Sequence, residues 1–188
     1  MKKYFMIHDE NLCIGCQGCS VACRSENNVP SGVYRLQVHA KMTGTFPNLK
    51  MDFLRHSCVM CEDSPCVTVC PTGASFKTAE GITLLDHRTC VSCKYCILAC
   101  PYDARFVEPQ TGEIGKCTFC YETRLSKGEQ PACVAVCPTD ALTFGDLNDE
   151  NSEVSKIMKE KKVYLPKEEF KTRPQLGMIA NRKGGNNE

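Results

Sequence analysis

Sixteen cysteines stand in four sets of four, and their spacing admits few kinds of chemistry. Cys13, Cys16, Cys19 and Cys23 are spaced C-x2-C-x2-C-x3-C, and Cys90, Cys93, Cys96 and Cys100 repeat that spacing. Cys58, Cys61, Cys66 and Cys70 follow C-x2-C-x4-C-x3-C, while Cys117, Cys120, Cys133 and Cys137 follow C-x2-C-x12-C-x3-C. No cysteine is left over. Three sets end in Cys-Pro (Pro71, Pro101, Pro138) and continue alike, as PTGASF, PYDARF and PTDALTF. A short unit is therefore used four times. Thiols at every third position of one loop can hold a multi-iron cube corner after corner, with the loop's free N–H groups turned toward its sulfides. The run C-x2-C-x2-C-x3-C-P is the bacterial ferredoxin pattern for a [4Fe–4S] cluster.

Other thiol chemistries fit less well. Disulfides suit the density of cysteine, but a C-x2-C-x2-C run forces thiols into a turn where bridging is awkward. Structural zinc favours two C-x2-C pairs separated by a loop, whereas here three thiols share one short loop. A redox dithiol needs a single pair.

The elements that must position these thiols follow from the same spacing. In ferredoxin runs the fourth cysteine ligates the other cluster of a pair. Cys96 and Cys100 are four apart, one helical turn, so a short helix begun near Cys96 carries Cys100 away from its own loop. Pro101 then ends the helix, because the residue before proline disfavours the α region. The stretch SFKTAEGITLLD, with its Glu80-Gly81 turn, reads as a hairpin. Cys23 is followed by Arg24 in place of proline, which predicts a helix continuing toward Pro30. The fold class expected is α+β: two bacterial-ferredoxin-like halves with pseudo-twofold symmetry, each binding two clusters, plus a C-terminal extension.

Composition agrees. The chain has 188 residues, fourteen Phe plus Tyr and no Trp, so something besides aromatic burial must help hold it together. A formal charge of +1 excludes a strong electrostatic attraction to nucleic acid. No apolar run approaches the roughly 18 residues of a membrane span. The opening MKKYFMIHDENLC has only a four-residue apolar stretch, too short for a secretory signal.

Five stretches carry a family resemblance: IHDENLCIGCQGCSVACRSEN, GTFPN, CVMCEDSPCVTVCPTGA, DHRTCVSCKYCILACPYDARF and CTFCYETRLSKGEQPACVAVCPTDAL. From about Met6 to Leu147 the chain resembles the four-cluster iron–sulfur subunits of the molybdenum oxidoreductases related to dimethyl sulfoxide reductase. It is most similar to the branch that serves polysulfide and thiosulfate reductases. Relatives that replace one thiol of the third set carry a different centre there; this chain keeps all sixteen, which implies four [4Fe–4S] clusters. The resemblance further implies a nested ligand pairing. Cys13, Cys16 and Cys19 are completed by Cys137 (cluster 1); Cys58, Cys61 and Cys66 by Cys100 (cluster 2). Cys90, Cys93 and Cys96 are completed by Cys70 (cluster 3); Cys117, Cys120 and Cys133 by Cys23 (cluster 4). Residues 1–30 and 105–147 then make the first half, and 56–104 the second. Residues 31–55 are a connecting excursion with a strand or two and a Gly44/Pro47 turn, and 148–188 are the extension. The implied partners are a molybdopterin catalytic subunit near cluster 1 and a quinone-binding integral membrane subunit near cluster 3. The implied location is peripheral on the cytoplasmic membrane, on the periplasmic face through co-export with the catalytic chain, with the cytoplasmic face as the alternative.

Sixteen thiolates contribute −16 and four [4Fe–4S]²⁺ cores +8, taking the formal charge from +1 to −7. Lys94, Arg88 and Lys116 sit beside ligands and are candidates for tuning the clusters, with surface solvation as the plainer role. His8, His39, His56 and His87 show no metal-ligand spacing and read as structural. No catalytic triad, nucleotide loop or carboxylate pair stands out. Residues 152–162 predict a short charged helix, and the last dozen residues, ending NRKGGNNE, read as a tail. The expectation is a conductor with no catalysis of its own and no direct small-molecule substrate. It relays electrons between the membrane quinol subunit and the molybdopterin subunit of an anaerobic respiratory reductase. A cytoplasmic polyferredoxin of a formate dehydrogenase or hydrogenase, and more distantly a zinc-binding interaction module, are the alternatives.

Overall fold

A computed structural model describes residues 2–181. Its central strand, β1 (Tyr4–Asp9), lies between two others in one sheet. β8 (Leu142–Asp146) pairs with it antiparallel, from Tyr4↔Asp146 to His8↔Leu142. β9 (Leu176–Ile179) pairs with it parallel, from Met6↔Leu176 to Asp9↔Ile179. β1 reads as a continuous apolar run because both its faces are covered. Phe5 and Ile7 pack with Val154 and Ile179 under helix α5 (Glu153–Glu160), while Met6 turns the other way, into the main core.

That core is built as much from sulfur as from hydrocarbon. Met60, Ile82, Phe119, Leu142, Phe144 and Leu176 surround Cys23, Cys117 and Cys133, with Cys19, Cys58, Cys61, Cys100 and Cys137 packed against them. Phe119 meets Phe144 edge to face at 5.3 Å within this core.

The remaining elements are short. Helix α1 (Gly18–Glu26) runs past Cys23, as expected where no proline follows. Helices α2 (Pro65–Thr68), α3 (Tyr95–Leu98) and α4 (Ala132–Ala135) are single turns of four residues, each carrying the third cysteine of its set. The fourth cysteine of each set comes just beyond the turn, before its proline. Hairpin β4–β5 (Ser75–Lys77, Thr83–Leu85) follows the second set, and β6–β7 (Arg105–Val107, Ile114–Lys116) follows the third. α1 packs on α4, and α2 on α3. Among the described residues no helix is long and apolar enough to cross a membrane.

Residues 31–55 contain most of a two-stranded ribbon, β2 (Leu36–Thr45) and β3 (Asn48–Ser57), closed by a two-residue turn at Phe46-Pro47. Gly44 has φ +91, and a Cβ there would lie 2.2 Å from the Asn48 carbonyl oxygen, so the turn needs glycine.

The C-terminal reading needs correction. The expected helix spans Glu153–Glu160, inside residues 152–162. The last dozen residues do not all form a tail: Leu176–Ile179 is a buried strand. Just before it, Gln175 donates its N–H to the Val59 carbonyl (2.9 Å), and Glu62 and Asp63 donate to the carbonyls of Arg173 and Thr172. This segment therefore straps the second cysteine loop. Residues 182–188 of the NRKGGNNE stretch lie outside the described residues.

Candidate metal centres

All four cysteine loops make the same backbone excursion. The second residue between the first two cysteines of each set has positive φ: Gly15 (+68), Met60 (+49), Ser92 (+52) and Phe119 (+53). Only glycine enters that region freely, and the cost for other residues is about 1–2 kcal/mol each. Met60 and Phe119 are large and fully buried, so their surroundings impose the conformation. A left-handed residue within such a turn aims successive N–H groups into one concavity, the geometry of an anion nest. Accordingly the Phe119 N–H donates to Cys117 Sγ at 3.4 Å, and the Gly15 N–H lowers the Cys13 thiol against the upward effect of burial.

A second repeat follows the prolines, where Gly73 (+69), Asp103 (+49) and Asp140 (+51) turn the chain back toward the fourth cysteine. The Ser75 N–H donates to Cys70 Sγ at 3.4 Å. Burial acts upward on Cys70, but that amide and the Thr72 hydroxyl overcome it and leave the thiol below its ordinary value.

The thiols collect around cavities. One is lined by Cys13, Cys16, Cys19 and Cys137 with His8 and Arg55. Another is lined by Cys23, Cys117, Cys120 and Cys133 with Asn27, Arg35 and Arg55. Asn27 Nδ2 lies 3.8 Å from both Cys23 Sγ and Cys120 Sγ. Elsewhere Cys61 is pushed up to about 12 by burial and by Cys58, Cys66 and Cys100 beside it. Cys96 is raised by burial and lies near Cys66 and Cys90. Cys23 is raised by burial and by Cys117, Cys133 and Cys120. Among the described residues no three Cys, His, Asp or Glu side chains converge as a single metal ion requires. Thiolates that ring a cavity suit a cube, whose irons present separate corners. The soft donor set and the N–H groups turned inward fit a [4Fe–4S] body at each of the four loops.

Buried cations accompany the thiols. Lys116 is 3% exposed and donates to the carbonyls of Thr83 and Cys117 (the latter at 2.7 Å). Burial pushes its amine down, with Cys58 acting in the opposite direction. Arg88 and Lys94 are placed differently: both are exposed, and Arg88 pairs with Asp86 at 3.2 Å. Two arginines were not legible as site residues. Arg55, on β3, and Arg105, on β6, are each 5% exposed. Arg105 Nη2 donates to Ser75 Oγ at 2.7 Å, and Cys66, Cys96 and Cys58 hold its guanidinium above the ordinary value despite burial. The available signal was weak: a lone Arg within a β-like stretch, three residues before Cys58 or five after Cys100.

The histidines take structural positions. His56 Nε2 bonds the Tyr102 carbonyl at 2.8 Å, and its ring meets His39 edge to face. His87 pairs with Glu113 at 3.4 Å. Burial and Arg55 lower His8 to about 4, so it is neutral beside its cavity in the cluster-free chain.

Comparison with known proteins agrees with this chemistry. A 4Fe-4S dicluster domain family matches residues 49–147, and a second 4Fe-4S dicluster domain family matches residues 12–74. The polysulfide reductase B subunit of Wolinella succinogenes is 54% identical over 186 residues, 98% of this chain and 97% of that one. Protein NrfC of Escherichia coli K12 is 51% identical over 176 residues, covering 93% and 79%. The thiosulfate reductase electron transfer subunit PhsB of Salmonella typhi is 48% identical over 168 residues, covering 88% and 86%. With two dicluster domains and sixteen thiols for four [4Fe–4S] clusters, the chain belongs to the family of four-cluster iron–sulfur subunits that includes the B subunit of polysulfide reductase.

Proposed function

We propose that the chain is the electron-transfer subunit of a respiratory reductase of the polysulfide or thiosulfate type. It passes single electrons along four clusters between a quinone-binding membrane subunit and a molybdopterin catalytic subunit. The observation that carries this reading is the continuity of the thiol sites between two exposed ends. Taken with the nested ligand sets, cluster 1 neighbours cluster 4 through Cys19 and Cys133. Cluster 4 neighbours cluster 2 through Cys117 and Cys58, and cluster 2 neighbours cluster 3 through Cys66 and Cys96. The order is 1–4–2–3. Cys16 and Cys93 are the exposed thiols among the sixteen, and they belong to clusters 1 and 3, the two ends. Exposed apolar residues flank each in sequence: Leu12, Ile14 and Val21 near Cys16, and Val91, Tyr95 and Leu98 near Cys93. Two wired surfaces of this kind suit two redox partners.

The nested sets are supported by the cavities that gather Cys137 with Cys13, Cys16 and Cys19, and Cys23 with Cys117, Cys120 and Cys133. The division into two pseudo-symmetric halves is supported by the packing of α1 on α4 and α2 on α3. In this reading residues 1–30 and 105–147 form one half and 56–104 the other. Through its partners the chain is held at the cytoplasmic membrane, on the outer face.

The test is anaerobic purification of the intact complex, with iron and acid-labile sulfide analysis and quinol-driven reduction followed by EPR. Four cubane signals reduced by quinol and reoxidised through the catalytic subunit are expected. Zinc in place of iron, or reduction of a sulfur substrate by this chain alone, would contradict the proposal.

A further inference from the structure

Arg55 occupies a place that neither a packing residue nor a surface charge explains. It stands near the end of β3, paired in register with Val38, and is 5% exposed. Its Nη1 engages the Ser57 hydroxyl, but Nε and Nη2 meet no acceptor among the described residues. A buried guanidinium with two idle donors is strongly unfavourable unless an anion faces it. The side chain lines both the cavity of Cys13, Cys16, Cys19 and Cys137 and that of Cys23, Cys117, Cys120 and Cys133. In each cavity it opposes the effect of burial on a thiol: Cys19, Cys117 and Cys133 are raised by burial, and Arg55 is the leading influence in the other direction, while Arg35, which lines the second cavity only, plays that part at Cys23.

We propose that Arg55 is a shared counter-ion and hydrogen-bond donor to clusters 1 and 4, setting the reduction potentials of both, with Arg105 as the buried guanidinium facing clusters 2 and 3. The inference rests on the four-cluster reading above. Four thiolates around a [4Fe–4S]²⁺ core carry a net −2, and one electron takes that to −3. A fixed guanidinium attracts the reduced form more than the oxidised one, so Arg55 raises the potential of each cluster it faces. Arginine keeps its proton in both states, so the electron needs no accompanying proton at this residue. Because Arg55 touches two adjacent relay sites, an electron on one weakens its field at the other, and the two potentials are coupled. A guanidinium serves better than an ammonium, since its planar fork can donate to two acceptors at once.

The experiment uses the holoprotein in its complex, with potentiometric titration followed by EPR. Ligand variants Cys16→Ser and Cys120→Ser identify the signals of clusters 1 and 4. Arg55→Met removes the charge at similar volume without leaving a buried donor unpaired, and Arg55→Lys keeps the charge without the fork. In Arg55→Met the reduction equilibria of clusters 1 and 4 are expected to shift at least tenfold toward the oxidised form. That is about 59 mV for a one-electron couple, with clusters 2 and 3 unmoved and Arg55→Lys restoring most of the shift. Should Arg55→Met fail to load, loss of half the iron with clusters 2 and 3 retained, rescued by Arg55→Lys, also supports the proposal. Four loaded clusters with unchanged potentials, an equal shift in all four, or loss of all four in both variants would overturn it. Wild-type protein with fewer than four cubanes would instead refute the four-cluster reading itself.

Discussion

The residue between paired cysteines shapes each loop, and the four loops meet its demand differently. At Gly15, φ is +68 and a Cβ would lie 2.4 Å from the Phe53 ring. Gly15→Ala is therefore expected to lose about 1–2 kcal/mol to backbone strain alone, and more from displacing Phe53. Ser92 holds the equivalent position at φ +52. Ser92→Gly relieves that strain but adds freedom to the unfolded chain, a penalty of about 0.4–1 kcal/mol, so it should lie within about 1 kcal/mol of wild type. Denaturation of the loaded protein, followed by loss of cluster absorbance, checks both. Equal losses in the two variants would contradict the shared loop geometry. The spacing of the cysteines was legible in the sequence, but the left-handed turns were not, because Met60 and Phe119 are among the residues least suited to them. Arg55 and Arg105 were illegible for a related reason. They reach the thiols through strand pairing and burial, while of the three basic residues read beside ligands Arg88 and Lys94 are exposed and Lys116 alone is buried.

Elements were legible where a turn signal or a capped helix marked them. Ser152 caps α5 by accepting the Ser155 N–H at 3.2 Å, which is why a helix in 152–162 could be read directly. The hairpin at Glu80-Gly81 likewise carries its own signal in Gly81 at φ +81. β9 has no such mark. LGMI is too short to show a period, and its strand state comes from pairing with β1, a tertiary effect that overrides local preference. Leu176 is 1% exposed in the main core. Leu176→Ala should lower stability by about 2–5 kcal/mol, read as an earlier denaturant midpoint with the slope unchanged. A loss below about 0.5 kcal/mol would mean that the segment after Arg173 is not part of the core.

At the scale of the whole molecule, stability and conduction share the same atoms, since the thiols that bind iron also form much of the interior. The exposed apolar residues near Cys16 and Cys93 in sequence lie outside that interior, so they can be changed without loss of fold. Leu98 is 83% exposed and Ile14 57%. Burying a leucine or isoleucine against a partner contributes about 1.5–3 kcal/mol, so Leu98→Asp should weaken membrane-subunit docking about tenfold or more. Quinol-driven reduction of the clusters should slow to match, with iron content unchanged. Ile14→Asp should leave that reduction intact and slow reoxidation through the catalytic subunit. Both variants impairing the same step would contradict a relay with distinct ends.

The ligand pairing on which this order depends is decided by the iron nearest one sulfur. Anomalous diffraction from the anaerobic holoprotein at the iron edge locates every iron and the thiolate bound to it. Cys100 Sγ should lie about 2.3 Å, a typical metal–thiolate length, from an iron of the cube held by Cys58, Cys61 and Cys66, with Cys70 bound reciprocally to the cube of Cys90, Cys93 and Cys96. Cys100 bound instead to the cube of Cys90, Cys93 and Cys96 would contradict the nested pairing and the two halves built on it.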